Sequence, residues 1–325
     1  MRVVSLLPSA TEILALLDAE DLLVARSHAC DHPPGIADRP VVTAPRTAYD
    51  PEGEAPSGEL DARVRAARER GESLFTLDES ALEALRPDLI LTQDLCQVCA
   101  IDPDALERLG ERLTPRPEIL ALGPQTVEGV LDDVIRVGRA IGRETRAARA
   151  AVELSARLFR AQEFVNAYEQ GPVIGFMEWT DPIYVAGHWN VQLIERAGGR
   201  HPLNETVADD DAGAATGLQQ GQRRAGRSIA VSAEVFAASR PDWLVIAPCG
   251  LSLEQTRTEA RRLAGQDWFR QLPAVRNGRV ALVDGSQMFN RPGPRLVDAF
   301  EWLVGWVQGR AELIPAEFPW EEGVT

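Results

Sequence analysis

The chain has 325 residues, 45% of them apolar, which is enough for two domains of ordinary size with filled cores. A formal charge of -15 excludes a general nucleic-acid binder, whose phosphate contacts need clustered cations. All 34 basic residues are arginine, so a P-loop lysine, a nucleotide-clamping kinase lysine and a Schiff-base lysine are excluded together; neither GxxxxGK[ST] nor GxGxxG occurs.

Val3 to Leu6 reads as a strand beginning almost at the initiator, with no basic, apolar or small-residue leader pattern before it, and no run reaches membrane-spanning length. The expected location is therefore cytoplasmic, with the periplasm or cell surface as the alternative if a leader has been removed. Ser9 is placed to cap the following helix, with Glu12 completing a capping box, and the helix N-terminus directs free amides toward a ligand cleft. A second strand, Leu22 to Ala25, leads into Ser27-His28-Ala29-Cys30-Asp31-His32-Pro33-Pro34. Residues 47–58, rich in Pro, Gly and Glu, read as an exposed loop before a charged helix near 59–70. Asp78 caps a short helix to Leu85, Arg86-Pro87-Asp88 opens a buried strand, and Gln93, Cys96 and Cys99 follow at its carboxyl end. A helix over 104–109 and a strand over 118–122 complete the βα alternation of a doubly wound lobe.

From about Thr126 to Glu169 there is no proline, and apolar residues recur at helical spacing. An unbroken helix there would span roughly 65 Å, long enough to serve as a spine between two lobes. The alternative is two helices broken near Gly138 to Gly142. The second half repeats the architecture. Strand Val173 to Phe176 ends at Met177-Glu178-Trp179-Thr180-Asp181, and Ile183 to Val185 leads through Gly187 to His188 and Trp189. Residues 204–227 read as a mobile loop or flap. Ser232 caps a helix, and Arg240-Pro241-Asp242 opens the strand Trp243 to Ile246, echoing Arg86-Pro87-Asp88. Cys249 follows that strand, and Val280 to Val283 gives way to Gln287-Met288-Phe289-Asn290-Arg291 and a final helix.

The predicted class is α/β: two doubly wound α/β lobes joined by one long spine helix, with a ligand cleft between the lobes. The predicted boundaries are an N-terminal lobe over 1–125, the spine over 126–170, a C-terminal lobe over 171–310 and a tail over 311–325. In open α/β sheets ligands gather outside the carboxyl ends of the strands, where Cys30, Cys96, Cys99 and Cys249 all fall.

Ser5-Leu6-Leu7-Pro8-Ser9-Ala10-Thr11-Glu12, the Arg86-Pro87-Asp88-Leu89-Ile90 strand, the spine, Ala186-Gly187-His188-Trp189 with Ala197-Gly198-Gly199, and Asn290-Arg291-Pro292-Gly293-Pro294-Arg295 lie in order along the chain. Together they resemble the substrate-binding proteins of cobalamin and iron-siderophore ABC importers, the helical-spine class III periplasmic-binding-protein family. The resemblance implies two lobes on a rigid helical spine, a ligand held between them, no catalysis and, for exported members, an ABC permease partner. It places Glu79, Glu83 and Glu234 near the acidic residues that dock the permease, and Arg291 at an arginine that reaches the ligand. The chain departs from the pattern at Gln93 and Ser228, where aromatic side chains meet the corrin, at Gln287, where an aspartate stands, and at the cysteines.

If the strand ends share one crevice, Cys30, Cys96, Cys99 and Cys249 suit a zinc ion, with Zn–S of about 2.3 Å, or an iron–sulfur cluster. A disulfide or redox pair and inert packing thiols are the alternatives. His28 or His188 suits an axial ligand to corrinoid cobalt. Trp179, Tyr184, Trp189 and Phe289 can form a flat wall for a planar macrocycle, though Trp189 can equally fill the core. Arg291, beside Asn290, is a candidate contact to carboxylate, amide or phosphate groups, and Arg295 a brace for the last helix. His32 and His201, each before a proline, read as surface groups. Glu178 and Asp181 lack a nucleophile or acid–base geometry, and no GxSxG or HExxH occurs, so no catalytic residues are assigned. The expected function is non-catalytic binding of a corrinoid or chelated-metal ligand. The alternative is a cytosolic thiolate metal or iron–sulfur protein with a redox or catalytic role on the same fold.

Overall fold

Two sheets, one parallel and one mixed, organise the protein, and in each the same tripeptide opens one parallel strand. A computed structural model describes residues 1–50, 52–53, 56–94, 103–166, 168–208 and 223–323; Cys96, Cys99 and most of the expected flap lie outside the described residues. In chain order the first elements are β1 (Val3–Ser5), α1 (Pro8–Leu16), β2 (Leu23–Arg26), β3 (Thr43–Pro45), α2 (Pro56–Glu69), β4 (Phe75–Leu77), α3 (Glu79–Leu85), β5 (Leu89–Gln93), α4 (Pro103–Arg112) and β6 (Glu118–Leu122). Two helices follow, α5 (Val127–Ala140) and α6 (Glu144–Gln162). Then come β7 (Ile174–Thr180), β8 (Ile183–Val185), α7 (His188–Arg196), β9 (Val207–Ala208), β10 (Arg223–Arg224), β11 (Ile229–Val231) and α8 (Ala233–Ala238). The chain ends with β12 (Trp243–Ile246), α9 (Leu253–Ala264), α10 (Asp267–Arg270), α11 (Pro273–Arg276), β13 (Val280–Val283), α12 (Leu296–Val307) and β14 (Trp320–Glu322).

The chain divides into two compact units. The first comprises Met1–Ala48, Ala62–Pro124 and Glu128–Ser155; the second comprises Tyr49–Asp61, Gln125–Val127 and Ala156–Thr325. In the first unit a parallel sheet runs in the order β2-β1-β5-β6. Val4, Ala25, Leu82, Ile90, Leu106 and Leu109 form its core, each large aliphatic side chain contributing about 1.5–3 kcal/mol by leaving water. The second sheet runs β11-β8-β7-β12-β13-β14, with β7, β12 and β13 parallel and the outer strands antiparallel. Met177, Val185, Phe236, Leu244, Ile246 and Phe269 pack its core.

Arg86-Pro87-Asp88 and Arg240-Pro241-Asp242 act alike in the two sheets. Each arginine takes a left-handed conformation, φ +45° and +49°, that ends the preceding helix, and each proline carries the chain on in extended form. The aspartate then clasps the neighbouring strand. Arg2 N donates to Asp88 Oδ2 at 2.6 Å and Val173 N to Asp242 Oδ2 at 2.9 Å. The amides of Asp88 and Leu89 return to Arg2 O at 2.8 and 3.2 Å, and those of Asp242 and Trp243 to Val173 O at the same two distances. A short carboxylate can saturate a backbone N–H just beyond the ladder, and this sets the strand register.

Several details differ from the sequence-based expectations. The expected single helix over 126–170 is two, α5 and α6, because Gly142 at φ +71° turns the chain and Gly138 lets the second helix approach so closely that an added Cβ would lie 2.2 Å from Ala147 Cβ. Ser9 caps nothing: Pro8 occupies the first helical position, Leu7 is the N-cap, and no side chain caps the end, since the pre-set φ of proline starts the helix one residue early. Asp78 and Ser232 do cap α3 and α8, accepting from Ala81 N and Val235 N. The expected tail over 311–325 carries β14, which pairs antiparallel with β13.

Candidate functional site

In the first unit the strand-end segment after β2 is tied down by polar contacts. Arg26 Nη1 donates to Cys30 O at 2.9 Å and Nη2 to Ala37 O at 3.1 Å. His28, half-buried, rests on Thr43: its backbone N–H donates to Thr43 Oγ1 at 3.0 Å and its ring Nδ1 lies 2.7 Å from the same oxygen. Thr43 Oγ1 also lies 3.2 Å from Ser27 Oγ. With the Thr43 hydroxyl hydrogen directed to Ser27, Nδ1 is the protonated nitrogen and Nε2 has the lone pair; with it directed to the ring, the two roles are exchanged. The ring packs at 5.3 Å from that of Phe75, and burial lowers its pKa, so the imidazole is neutral at pH 7. Gln93 ends β5, half-buried, opposite Leu122.

Cys30 does not reach this rim. It is 1% exposed, accepts from Thr11 Oγ1 at 3.1 Å and lies 4.0 Å from Ser5 O, because its segment folds the thiol back onto the start of α1. Cys249, in the second unit, is exposed, and its amide donates to Glu178 O at 2.9 Å. Among the described residues no three His, Cys, Asp or Glu side chains are grouped to hold a metal ion.

In the second unit the rim centres on Glu178, near the end of β7. Its Oε1 accepts from Gly187 N at 3.1 Å and Asn190 Nδ2 at 2.8 Å, and its Oε2 from Ser228 Oγ. Burial pushes its carboxyl pKa up against these donors, which pull it down. Asp181 is exposed, and among the described residues the partners of the Glu178 carboxyl are Gly187, Asn190 and Ser228 rather than Asp181. His188, at φ +48°, donates its amide to Gly226 O at 2.9 Å and stacks on Trp189 at 5.7 Å. Its Nδ1 is buried with no hydrogen-bond partner among the described residues, and burial followed by the Arg227 charge lowers its pKa. Tyr184 lies half-buried opposite Trp179 in the β7–β8 ladder.

Gly187 is required for space. A Cβ there would lie 2.2 Å from Ser228 N and 2.6 Å from Arg227 C, although its own φ of -129° suits any residue. Gly187→Ala is expected to cost about 1–3 kcal/mol by overpacking, and to push Ser228 off Glu178. Urea denaturation measures the cost; an unchanged midpoint would show that the loop yields freely.

Two expected wall residues belong to the core. Phe289 is fully buried against Phe176, Trp302 and Phe318, and Trp189 is 7% exposed with its Nε1 donating to Phe289 O at 2.7 Å. The short 3-10 turn at Met288–Asn290 swings the ring inward. Asn290 Nδ2 ties strand ends together, donating to Ala247 O at 3.0 Å and Gly285 O at 2.9 Å. Arg291 is 7% exposed, and Arg295 Nη1 donates to Gln287 Oε1 at 2.8 Å. His201, expected at the surface, is 1% exposed with Nδ1 2.8 Å from Ile174 O, the turn before Pro202 folding it under β7. His32 is half-buried. Glu79 pairs with Arg112 at 2.6 Å, while Glu83 and Glu234 are exposed and the Ser232 hydroxyl holds the Glu234 carboxyl below its usual range.

One cluster carries no obvious mark in the sequence. Among the described residues of the expected exposed loop over 47–58, Ala48, Asp50 and Glu52 are exposed but Tyr49 and Ser57 turn inward: Tyr49 OH and Ser57 Oγ each donate to the Glu259 carboxyl at 2.6 Å, Thr180 Oγ1 donates at 2.7 Å, and Trp179 Nε1 reaches Ser57 O at 3.2 Å. The available signal was an acid at a core position of α9, on the face shared by Thr256, Ala260 and Leu263.

The chain matches the periplasmic binding protein family over residues 3–286, and it belongs to that family. Its fold is shared by a periplasmic heme binding protein from Pseudomonas aeruginosa at 21% identity and TM-score 0.70, covering 100% of this chain and 98% of that one. The vitamin B12 binding protein of Vibrio cholerae aligns at 20% identity and TM-score 0.62, covering 96% and 98%. A possible iron-binding periplasmic protein from Staphylococcus epidermidis aligns at 19% and 0.63, covering 97% and 98%. No curated protein matches the chain. Among the described residues no helix is long and apolar enough to cross a membrane.

Proposed function

We propose that this chain is the ligand-capturing component of an ABC importer, working outside the cytoplasmic membrane and taking a metal held in a planar macrocycle, of the haem or corrinoid kind. The observation that carries the reading is His28. An imidazole that is neutral at pH 7 and oriented through Nδ1 on Thr43 is, in the tautomer that protonates Nδ1, the arrangement in which histidine ligates a metal, with the second nitrogen fixed by a neighbour. The half-buried Trp179 and Tyr184 supply aromatic faces on the second unit's rim, and the His188 imidazole of the same unit is also neutral. Glu79, Glu83 and Glu234, acidic and exposed, serve as permease-docking groups.

Absorption titration of the purified protein with hemin and with aquocobalamin tests this. One of them is expected to bind with a shift in its visible bands, the shift is lost in His28→Ala, and affinity falls about tenfold to a hundredfold in Thr43→Val, which leaves the ring unanchored. Binding of neither compound, or binding whose spectrum ignores His28, would overturn the assignment.

A further inference from the structure

We propose that Glu259 is a positioning residue of the second unit's ligand rim: it pins the segment Tyr49–Asp61 to that unit and, through Ser57, fixes the indole of Trp179 in the orientation a planar ligand stacks on. The inference rests on the reading of Trp179 as a ligand-facing residue. Glu259 is 2% exposed on α9, where an acid is tolerated only if its oxygens are saturated. Among the described residues its three donors are hydroxyls, two from the segment, Tyr49 and Ser57, and one from the last residue of β7, Thr180. Ser57 and Thr180 are themselves 2% and 5% exposed. Burial, then the hydrogen bond to Glu259, holds the Tyr49 phenol far above its ordinary range, so it remains a donor at any working pH.

Successive residues of a strand point to opposite faces. Thr180 turns toward Glu259, and Trp179, next to it on β7, reaches the same segment with its Nε1, at 3.2 Å from Ser57 O and 3.0 Å from Asp181 O. One turn further along α9, Arg262 Nη2 donates to Gly53 O at 2.9 Å. The segment is thus held from α9 by Glu259 and Arg262 and from the end of β7 by Trp179, while Thr180 secures Glu259 itself. An indole whose N–H is engaged on a carbonyl has one ring plane available, and rotating it requires breaking that bond. A rigid aromatic face loses little entropy on stacking.

The experiment uses the full chain and whichever of hemin or aquocobalamin binds. Tyr49→Phe/Ser57→Ala is expected to speed cleavage at Glu52 by a glutamate-specific protease and to weaken the probe's affinity roughly tenfold, the order of one lost hydrogen bond. On a Trp179→Phe background the same pair is expected to change affinity less than about twofold, because residues acting through one another are not additive. Tyr49→Phe alone, which removes one hydroxyl from a half-buried ring, repeats the comparison if the pair folds poorly, and Glu259→Gln is expected to retain more affinity than Glu259→Ala. Equal losses with and without Trp179, or unchanged affinity despite faster cleavage, would overturn the proposal. Unchanged affinity in Trp179→Phe by itself would instead remove the ligand-facing role of the indole, while the cleavage rate still reports whether Glu259 pins the segment.

Discussion

Trp302→Ala is expected to lower the stability of the second unit by about 3–5 kcal/mol, the range for removing a large aromatic from a packed core. Trp302 is fully buried in α12, stacked on Phe318 at 5.0 Å and on Trp306 at 5.3 Å, with Trp320 and Phe289 edge-on at 5.3 and 5.7 Å. Moving one of these rings into the void would unstack it from its own neighbours, since Phe289 also packs on Phe318 and Trp306 on Trp320. Phe289 is the link to the rim: its carbonyl takes the Trp189 indole N–H, and Asn290 beside it ties Ala247 to Gly285. The variant should therefore lose near-ultraviolet circular dichroism and ligand affinity together. Trp302→Phe is the discriminating partner. Trp302 Nε1 is buried with no hydrogen-bond partner among the described residues, so removing it relieves a penalty of about 1–3 kcal/mol that offsets part of the lost volume. Urea denaturation should place Trp302→Phe much closer to the native chain than to Trp302→Ala, and equal losses would show that packing alone counts here.

Glu178→Ala is expected to cost about 3 kcal/mol or more, since it leaves Gly187 N, Asn190 Nδ2 and Ser228 Oγ without their acceptor. Glu178→Gln is a milder change, because the amide oxygen can accept from Gly187 and Asn190 while its nitrogen donates to Ser228. The pair also separates charge from shape. Burial raises the Glu178 pKa in the folded chain, so the folded state holds this proton more tightly than the unfolded one. Stability from this group is complete below the unfolded value and falls as pH rises through the folded one. Denaturation midpoints taken on the alkaline side of the ordinary glutamate range should decline with pH in the native chain and decline less in Glu178→Gln. Parallel slopes would mean that the carboxyl is solvated.

The parts of the fold legible in the sequence are those dictated by local chemistry. Arg86-Pro87-Asp88 and Arg240-Pro241-Asp242 were visible as an echo because each residue acts locally, the arginine as a left-handed stop, the proline as a break and the aspartate as a clasp. Asp78 and Ser232 were legible for the same reason. Family membership followed from motifs in order along the chain. Long-range partnership was not legible. A run rich in Pro, Gly and Glu looks like a solvated loop whether or not a buried Glu259 two hundred residues later receives its hydroxyls. Phe289 carries no local mark saying whether its ring turns to solvent or to Trp302. His201 and Cys30 sit where turns fold small polar groups inward, and a neighbouring proline says nothing about that direction. Gly138 and Gly142 did signal the break between α5 and α6, but helical periodicity runs on through both.

The discontinuous make-up of the second unit limits how the protein can be dissected. A fragment starting at Ala156 would omit Tyr49 and Ser57, stranding Glu259 inside a hydrophobic wall with Thr180 as its remaining hydroxyl donor. Subcloning by simple truncation should therefore yield an insoluble polypeptide, whereas grafting residues 49–61 through a linker onto that fragment restores the missing hydroxyls. The borrowed thirteen-residue patch, rather than any terminus, marks where the gene resists being cut.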